Sequence, residues 1–389
     1  MKTFKRIVII VLLFALFPTA MTAAALKICG AVKGAANMAG DKLKEKIDEK
    51  LTGGSDTTFS GELPASETAD SVDAVADNKS LNFVLTGIDS VGNNSDVIML
   101  VRFDTDTSRI SVVQIPRDTY INCDKYGFHK INAVYTFGYN SAVADGKKGS
   151  EAIKAGNREL CSFIKDATGF DADYFVSVEK NGFIDIVNSI GGVDVTVPSA
   201  LDYDDESQDL HIHFPKGDVH LSGEDAQLFV RYRSGYINAD YGRMDAQKIF
   251  LSAMLKKIKT NLTLPQAAAL TATLYSKLTT DIPLGTLVSL APSCFHVSLD
   301  NINMITLKGR SVTVGKTMYE VQNKKYTFDV FNRYLMTGLT DVSELDPDVM
   351  LGNAENDKIN AYYTDTAPYS TNGYSADDTD AIGRSIPIK

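Results

Sequence analysis

Ser95–Asp118 reads SDVIMLVRFDTDTSRISVVQIPRD. Val97–Phe103 and Ile110–Ile115 are runs of branched and apolar residues, the composition of strands. Between them Asp104-Thr-Asp-Thr-Ser108 is a cluster of turn formers, and Pro116 ends the second run. Two such runs joined by a short polar turn predict an antiparallel hairpin. Folding about Asp106 brings Arg117 level with Asp96, so a carboxylate and a guanidinium meet at one end. Arg102 and Asp104 then lie at the turn end. At ~3.3 Å per residue that is about 20 Å away, too far to share one phosphate with Arg117. For Asp96 and Arg117 alone, a surface salt bridge is the competing reading.

Outward from this hairpin, Leu81–Leu85 reads as a strand running into Gly87-Ile-Asp89. A mostly helical segment follows from Ile131 to Ala167, interrupted near Asp145. Then come Tyr174–Val178 (strand), Asn181–Ile190 (helix) and, after Gly191-Gly192, Val193–Val197 (strand). Leu221–Phe229 suits a helix and Val230–Arg233 a short strand. Met244, Ile249, Phe250, Ala253, Met254 and Ile258 recur at helical spacing through Asp240–Lys259. Strands interleaved with helices predict an α/β fold, a central mixed sheet covered on both faces. Residues 81–260 are thus the principal domain and 261–350 an extension of the same body. In that extension Leu264–Leu290 reads as helix, Ile302–Leu307 and Val312–Val314 as strands, and Tyr326–Leu335 as a closing helix. Residues 351–389 are polar and acidic, and a disordered tail is expected there.

Lys2, Lys5 and Arg6 precede an apolar run from Ile7 to Leu26. At ~1.5 Å per residue it matches a hydrocarbon core of roughly 30 Å. Residues 1–26 are therefore expected to be a cytoplasmic stub and transmembrane helix, with the body outside. The small residues Thr19–Ala23 keep a cleaved signal peptide open. Residues 27–80 read as a juxtamembrane helix followed by a Gly/Ser/Thr/Asp/Ala-rich linker. A net charge of −10 argues against a general nucleic-acid binder. Cys29, Cys123, Cys161 and Cys294 show no metal-binding spacing. Free buried thiols are expected, with a Cys123–Cys161 disulfide as the alternative. His211-x-His213 could bind metal, but a half-exposed strand is the simpler reading.

Three clusters carry chemistry. Asp96 and Arg117 are the first. In Val230-Arg231-Tyr-Arg233, a strand's period of two puts both arginines on one face, where like charges call for an anion. Guanidinium forks suit phosphate oxygens. Asp240, Arg243 and Gln247 share a helix face by their spacings of three and four, for which a solvated surface is the plain alternative. Together they fit a diphosphate site, its acidic groups able to hold a bridging divalent cation.

Gly87-Ile-Asp89, Ser95-Asp-Val-Ile-Met-Leu100, Ile115-Pro-Arg-Asp-Thr119, Lys130-Ile-Asn-Ala133, Gly191-Gly-Val-Asp-Val195, Leu221-Ser-Gly-Glu-Asp-Ala226, Val230-Arg-Tyr-Arg233 and Asp240-Tyr-Gly-Arg243 occur in this order. The series resembles the LytR–CpsA–Psr domain over roughly Leu81 to Lys259. The resemblance implies an α/β/α domain that holds a polyprenyl diphosphate in a hydrophobic tunnel, with Mg2+ (or Mn2+) on the diphosphate. It implies a membrane-anchored extracytoplasmic phosphotransferase that joins a lipid-linked glycopolymer, such as teichoic acid or capsule, to peptidoglycan. By motif position, Arg117, Asp96, Arg231 and Arg233 are the expected catalytic residues. Arg117, Arg231, Arg233, Arg243 and Gln247 would bind diphosphate, and Asp89 and Asp96 metal. Asp118 and Asp240 are further candidates. Two positions depart from the pattern: Asn94 and Ala246 stand where the family usually has basic residues. A polyprenyl-diphosphate-glycan pyrophosphatase, a non-catalytic lipid-binding regulator of the envelope and a scaffold using the region from Leu264 onward are the alternatives.

Overall fold

The computed structural model of the 389-residue chain describes residues 80–89, 92–127, 129–206, 210–236, 239–261, 275–283, 286, 297–335, 337 and 374–375. The apolar segment 7–26, the linker, most of the helix expected over Leu264–Leu290 and most of the acidic tail lie outside them. Among the described residues no helix is long and apolar enough to cross a membrane.

The chain runs β1 (Ser80–Ile88), β2 (Ser95–Asp104), β3 (Arg109–Ile115), α1 (Ile131–Ala144), α2 (Ser150–Thr168), β4 (Tyr174–Glu179), α3 (Lys180–Ser189) and β5 (Val193–Val197). It continues through β6 (Leu201–Asp205), β7 (Leu210–Phe214), β8 (Gly217–Leu221), α4 (Gly223–Arg231), α5 (Ala239–Asn261) and β9 (Leu278–Thr280). Last come β10 (Ile302–Thr306), β11 (Gly309–Val314), β12 (Thr317–Gln322), α6 (Lys324–Val330) and β13 (Tyr374–Ser375). Seven strands make one sheet in the order β13-β10-β3-β2-β1-β4-β9. It is mixed: β1, β2 and β3 are antiparallel neighbours, whereas β1–β4 and β3–β10 are parallel. The hairpin expected from Ser95–Asp118 forms the middle of this sheet, with Asp104 opposite Arg109 at its turn.

Strand alternation divides the core. Val84, Ile98, Leu100, Val113, Ile115 and Phe175 face one way and bury against Ile131, Val134 and Tyr135 of α1 and Ile153, Leu160 and Phe163 of α2. Each large side chain so buried stabilises by about 1.5–3 kcal/mol before entropy is counted. On the other side Phe183 of α3 packs on Phe250 of α5, ring centroids 5.4 Å apart. Residues Gly242–Phe250 of α5 are all buried, so this helix has no solvated side over that stretch.

Several expectations need correction. Val230–Arg233 is not a strand. A capping box between Ser222 and Asp225 starts α4, and the helix runs on to Arg231 before Tyr232 turns extended. Within Leu264–Leu290, Leu278–Thr280 is a strand at the sheet edge beside β4, held by the Thr280 hydroxyl donating to the Phe175 carbonyl at 2.5 Å. Three residues are too few for a legible period. Tyr374–Ser375, inside the tail expected to be disordered, pairs with β10. Cys123 and Cys161 are free thiols, so the disulfide alternative falls. His211 and His213 lie on the exposed side of β7, the half-exposed strand expected there.

Candidate active site

The site begins at a fault in the sheet. Gly87 of β1 lies opposite Val97, but the next residue, Ile88, lies opposite Ser95, leaving Asp96 as an unpaired bulge residue. A bulge re-aims side chains that strict alternation would separate. Consecutive residues Gly87, Ile88, Asp96 and Val97 therefore all line one cavity of about 360 Å³. Extending the β2–β3 register past Ile98 and Ile115 sets Arg117 across from Asp96. The Arg117 Nη1 donates to Asp96 Oδ1, as the hairpin reading expected.

Arg231, at the C-terminus of α4, and Arg233, just beyond it, line the same cavity. They meet there because Tyr232 breaks the helix, not because they alternate on a strand. Tyr236 folds back on Arg233 through a 3.1 Å backbone hydrogen bond and packs on Gly242 of α5, where any Cβ would collide with its side chain. That close approach brings Arg233 beside Asp240, 3.5 Å away, and Asp240 pairs with Arg243 at 2.9 Å. Arg243 and Gln247 line the cavity at 5% and 2% exposure, so the solvated-surface reading of this trio fails. Gln247 is oriented from both sides: its amide donates to the Val230 carbonyl at 3.2 Å and its oxygen accepts from Gln114 at 2.7 Å.

Positive charge exceeds its local compensation. Arg117, Arg231, Arg233 and Arg243 line the cavity, and Asp96 is the one carboxylate among its lining residues. Arg231 has no salt bridge among the described residues, and the buried Nε atoms of Arg117 and Arg243 have no hydrogen-bond partner. Burial, then the Arg243 guanidinium, bring the Arg233 pKa down to about 10. Burial also lowers that of Arg231, against the pull of Asp96. For Arg117 burial works the same way, but Asp96 and Asp118 outweigh it and hold its charge more firmly. The strain of like charge thus sits on Arg233 and Arg231. A bound dianion would satisfy those forks with charge-assisted hydrogen bonds.

The remaining expected residues fall around this centre. Asp118 is shared between Lys130 Nζ at 2.7 Å and Arg117 Nε at 3.6 Å. Asp89 is not in the cavity wall; its Oδ1 accepts from the amides of Gly92 at 2.7 Å and Asn93 at 3.2 Å. Arg102 sits opposite Ser111 toward the turn and reaches Asn82 at 3.4 Å, away from the site. Asn94 meets Asn132 at 3.4 Å. Ala246 is completely buried in α5.

Sequence reading missed three contributors. Lys180, the first residue of α3, is 6% exposed with no ion pair among the described residues; burial, then Arg231, lower its pKa to about 8. Nothing local marked it, since Lys at a helix start reads as surface. Tyr203, Leu210 and Ile212 of the β6–β7 hairpin form an apolar cavity wall. The β11–β12 hairpin buttresses the Arg117 loop: Glu320 N donates to Asp118 O at 2.9 Å and Tyr120 N to Glu320 O at 2.9 Å. Its Glu320 carboxylate accepts from Tyr241 of α5 at 3.0 Å.

A mixed sheet between helical layers, with four arginines converging on one cavity beside an apolar wall, defines an α/β/α protein. The profile of the LytR_cpsA_psr family matches residues 37–334, and the chain belongs to that family. It is 31% identical over 194 residues to the cell wall biosynthesis protein LcpA of Corynebacterium glutamicum, covering 47% of this chain and 36% of that protein. It is 32% identical over 170 residues to the Bacillus subtilis polyisoprenyl-teichoic acid–peptidoglycan teichoic acid transferase TagV, covering 42% and 39%. The matched region thus spans little more than a third of either relative. The crystal structure of B. subtilis TagV superposes with a TM-score of 0.54 at 23% identity, covering 66% of this chain and 98% of that one. TagT bound to LIIa-WTA gives 0.53 at 23% identity, covering 67% and 92%. These likenesses establish the α/β/α fold.

Proposed function

We propose that this protein is a phosphotransferase that moves a glycopolymer from a polyprenyl diphosphate carrier to peptidoglycan through a phosphodiester. The observation that carries the reading is the convergence of Arg117, Arg231, Arg233 and Arg243 on one cavity whose other wall is apolar. That pairing suits a diphosphate joined to a lipid chain. The names of LcpA and TagV, both concerned with the cell wall, support the same substrate class. A hydroxyl of the wall polymer attacks the phosphorus next to the glycan, and the bond to the distal phosphate breaks. The products are the phosphodiester, polyprenyl phosphate and the hydroxyl's proton. Arg231 and Arg233, uncomfortable when the site is empty, gain most from charge on the phosphoryl oxygens.

Asp96 stands in the cavity wall and has one carboxylate oxygen beyond the one Arg117 uses, whereas Asp89 lies outside that wall. The free Asp96 oxygen fits a hard cation that takes one or two carboxylates and otherwise phosphate oxygens and water. Bound there, Mg2+ (or Mn2+) would neutralise charge on the diphosphate. The basic flank and apolar run at residues 2–26 support a single-pass anchor with a cytoplasmic N-terminus and an extracytoplasmic body.

Purified full-length protein, a polyprenyl-diphosphate oligosaccharide and peptidoglycan should yield wall-bound glycan and polyprenyl phosphate. The yield should fall in EDTA and return with Mg2+. Release of free glycan phosphate without attachment would instead make it a hydrolase, and no turnover at all would leave it a lipid-binding protein.

A further inference from the structure

The hairpin that closes the cavity has a second face. Tyr203, Leu210 and Ile212 point inward, and alternation sends Asp202, Asp204, His211 and His213 outward, all exposed. The register sets Asp202 opposite His213 and Asp204 opposite His211, so an Asp-x-Asp meets a His-x-His across two strands. The side chains touch: His211 Nδ1 lies 2.6 Å from Asp204 Oδ1, and His213 Nε2 lies 3.2 Å from the same oxygen. His213 Nδ1 is 2.5 Å from Asp202 Oδ1. One donor atom from each of Asp204, His211 and His213 falls within 4.8 Å of the others.

We propose that Asp204, His211 and His213 bind a transition-metal dication of the Zn2+ type, with Asp202 alongside as a fourth ligand or the partner that orients His213. Two imidazole nitrogens and a carboxylate oxygen are a zinc donor set, whereas Mg2+ and Ca2+ prefer oxygen alone. Two carboxylates balance a dication, and the imidazoles bind in their neutral form. Asp204 comes from one strand and His211 and His213 from the other. A bound ion therefore clips together a two-stranded hairpin of five-residue strands, an element of marginal stability by itself. Because the reverse face lines the cavity, the ion stiffens the wall on the side of the apolar ligand.

The test uses full-length protein purified in detergent without a histidine tag, stripped with chelator and titrated with ZnCl2 by calorimetry. CoCl2 in parallel reports ligand geometry by visible absorption. One equivalent should bind, with an intense tetrahedral Co2+ spectrum. His211→Ala and His213→Ala, both surface changes, should each lower affinity more than about 100-fold, beyond the cost of losing an outer-shell partner. Asp204→Asn should do likewise, and Asp96→Asn should leave Zn2+ binding unchanged. Thermal melting with and without ZnCl2 should show stabilisation only where binding persists. Binding unchanged in the histidine variants, or no binding to the parent protein, would overturn the proposal. The outcome is independent of transfer activity, so it separates this site from the phosphotransferase reading.

Discussion

Arg117 and Asp96 face each other across the open end of the β2–β3 hairpin, their side chains joined through Nη1 and Oδ1. Asp96 reaches that position as the extra residue of a β-bulge, so the same irregularity that leaves it without a ladder partner turns it into the cavity. Arg117 is thereby fixed between two carboxylates, Asp96 and Asp118, while one buried Nε proton stays without a hydrogen-bond partner.

Arg117→Ala should reduce transfer sharply. Losing a charge-assisted contact costs about 1.5–3 kcal/mol, or roughly 10- to 150-fold. Arg102→Ala should be much milder, because Arg102 sits beside Asn82 on the way to the far turn. Transfer rates of the two variants, measured side by side, check this; equal losses would mean that the Asp96 end of the hairpin is not the reacting end.

Arg233→Gln should separate stability from activity. The charge of Arg233 is disfavoured by burial and by Arg243, so its removal relieves the empty site. The melting temperature of ligand-free protein should rise, by about 2–4 °C per kcal/mol relieved, while transfer falls by at least about tenfold. Arg117→Ala should show no such rise, since it strips Asp96 and Asp118 of a partner. Relief of repulsion thus belongs to Arg233 and not to Arg117, whose charge Asp96 and Asp118 hold.

Lys180→Met should stabilise the protein in a pH-dependent way. The folded-state pKa of about 8 lies below the ordinary 10.5, so between those values the unfolded chain binds the extra proton. Stability of the parent protein therefore gains from this group as pH rises through that window. The variant should melt higher than the parent at pH 7, and the difference should shrink toward pH 10.5. Melting curves across that range test it, and a pH-independent difference would contradict a buried lysine charge.

Tyr241→Phe should loosen the C-terminal hairpin. The Tyr241 hydroxyl accepts from Gly309 N at 2.6 Å and donates to Glu320 at 3.0 Å. Removing it strands a buried donor and acceptor at a cost of about 1–3 kcal/mol, readable as a shift in the denaturation midpoint. Transfer should fall modestly as well, because Glu320 anchors Asp118 and Tyr120, directly after Arg117 in the chain.

The sequence by itself determined the pieces that depend on short-range geometry. A polar turn between two branched runs sets a hairpin register, and that register alone places Arg117 against Asp96. Helical spacing likewise put Asp240, Arg243 and Gln247 on one side of α5, and strand alternation put His211 and His213 on one face of β7. Only the tertiary structure decided which of these pieces meet. The crossovers that bring α4 and α5 over the bulge carry no local period, so Arg231 and Arg233 could be paired correctly while their strand was wrong. For the same reason Lys180 looked like surface until its helix was packed beside Arg231, and β9 was invisible until β4 offered it an edge. A residue's charge state and burial depend on neighbours distant in sequence, and those neighbours exist only once the sheet order is set.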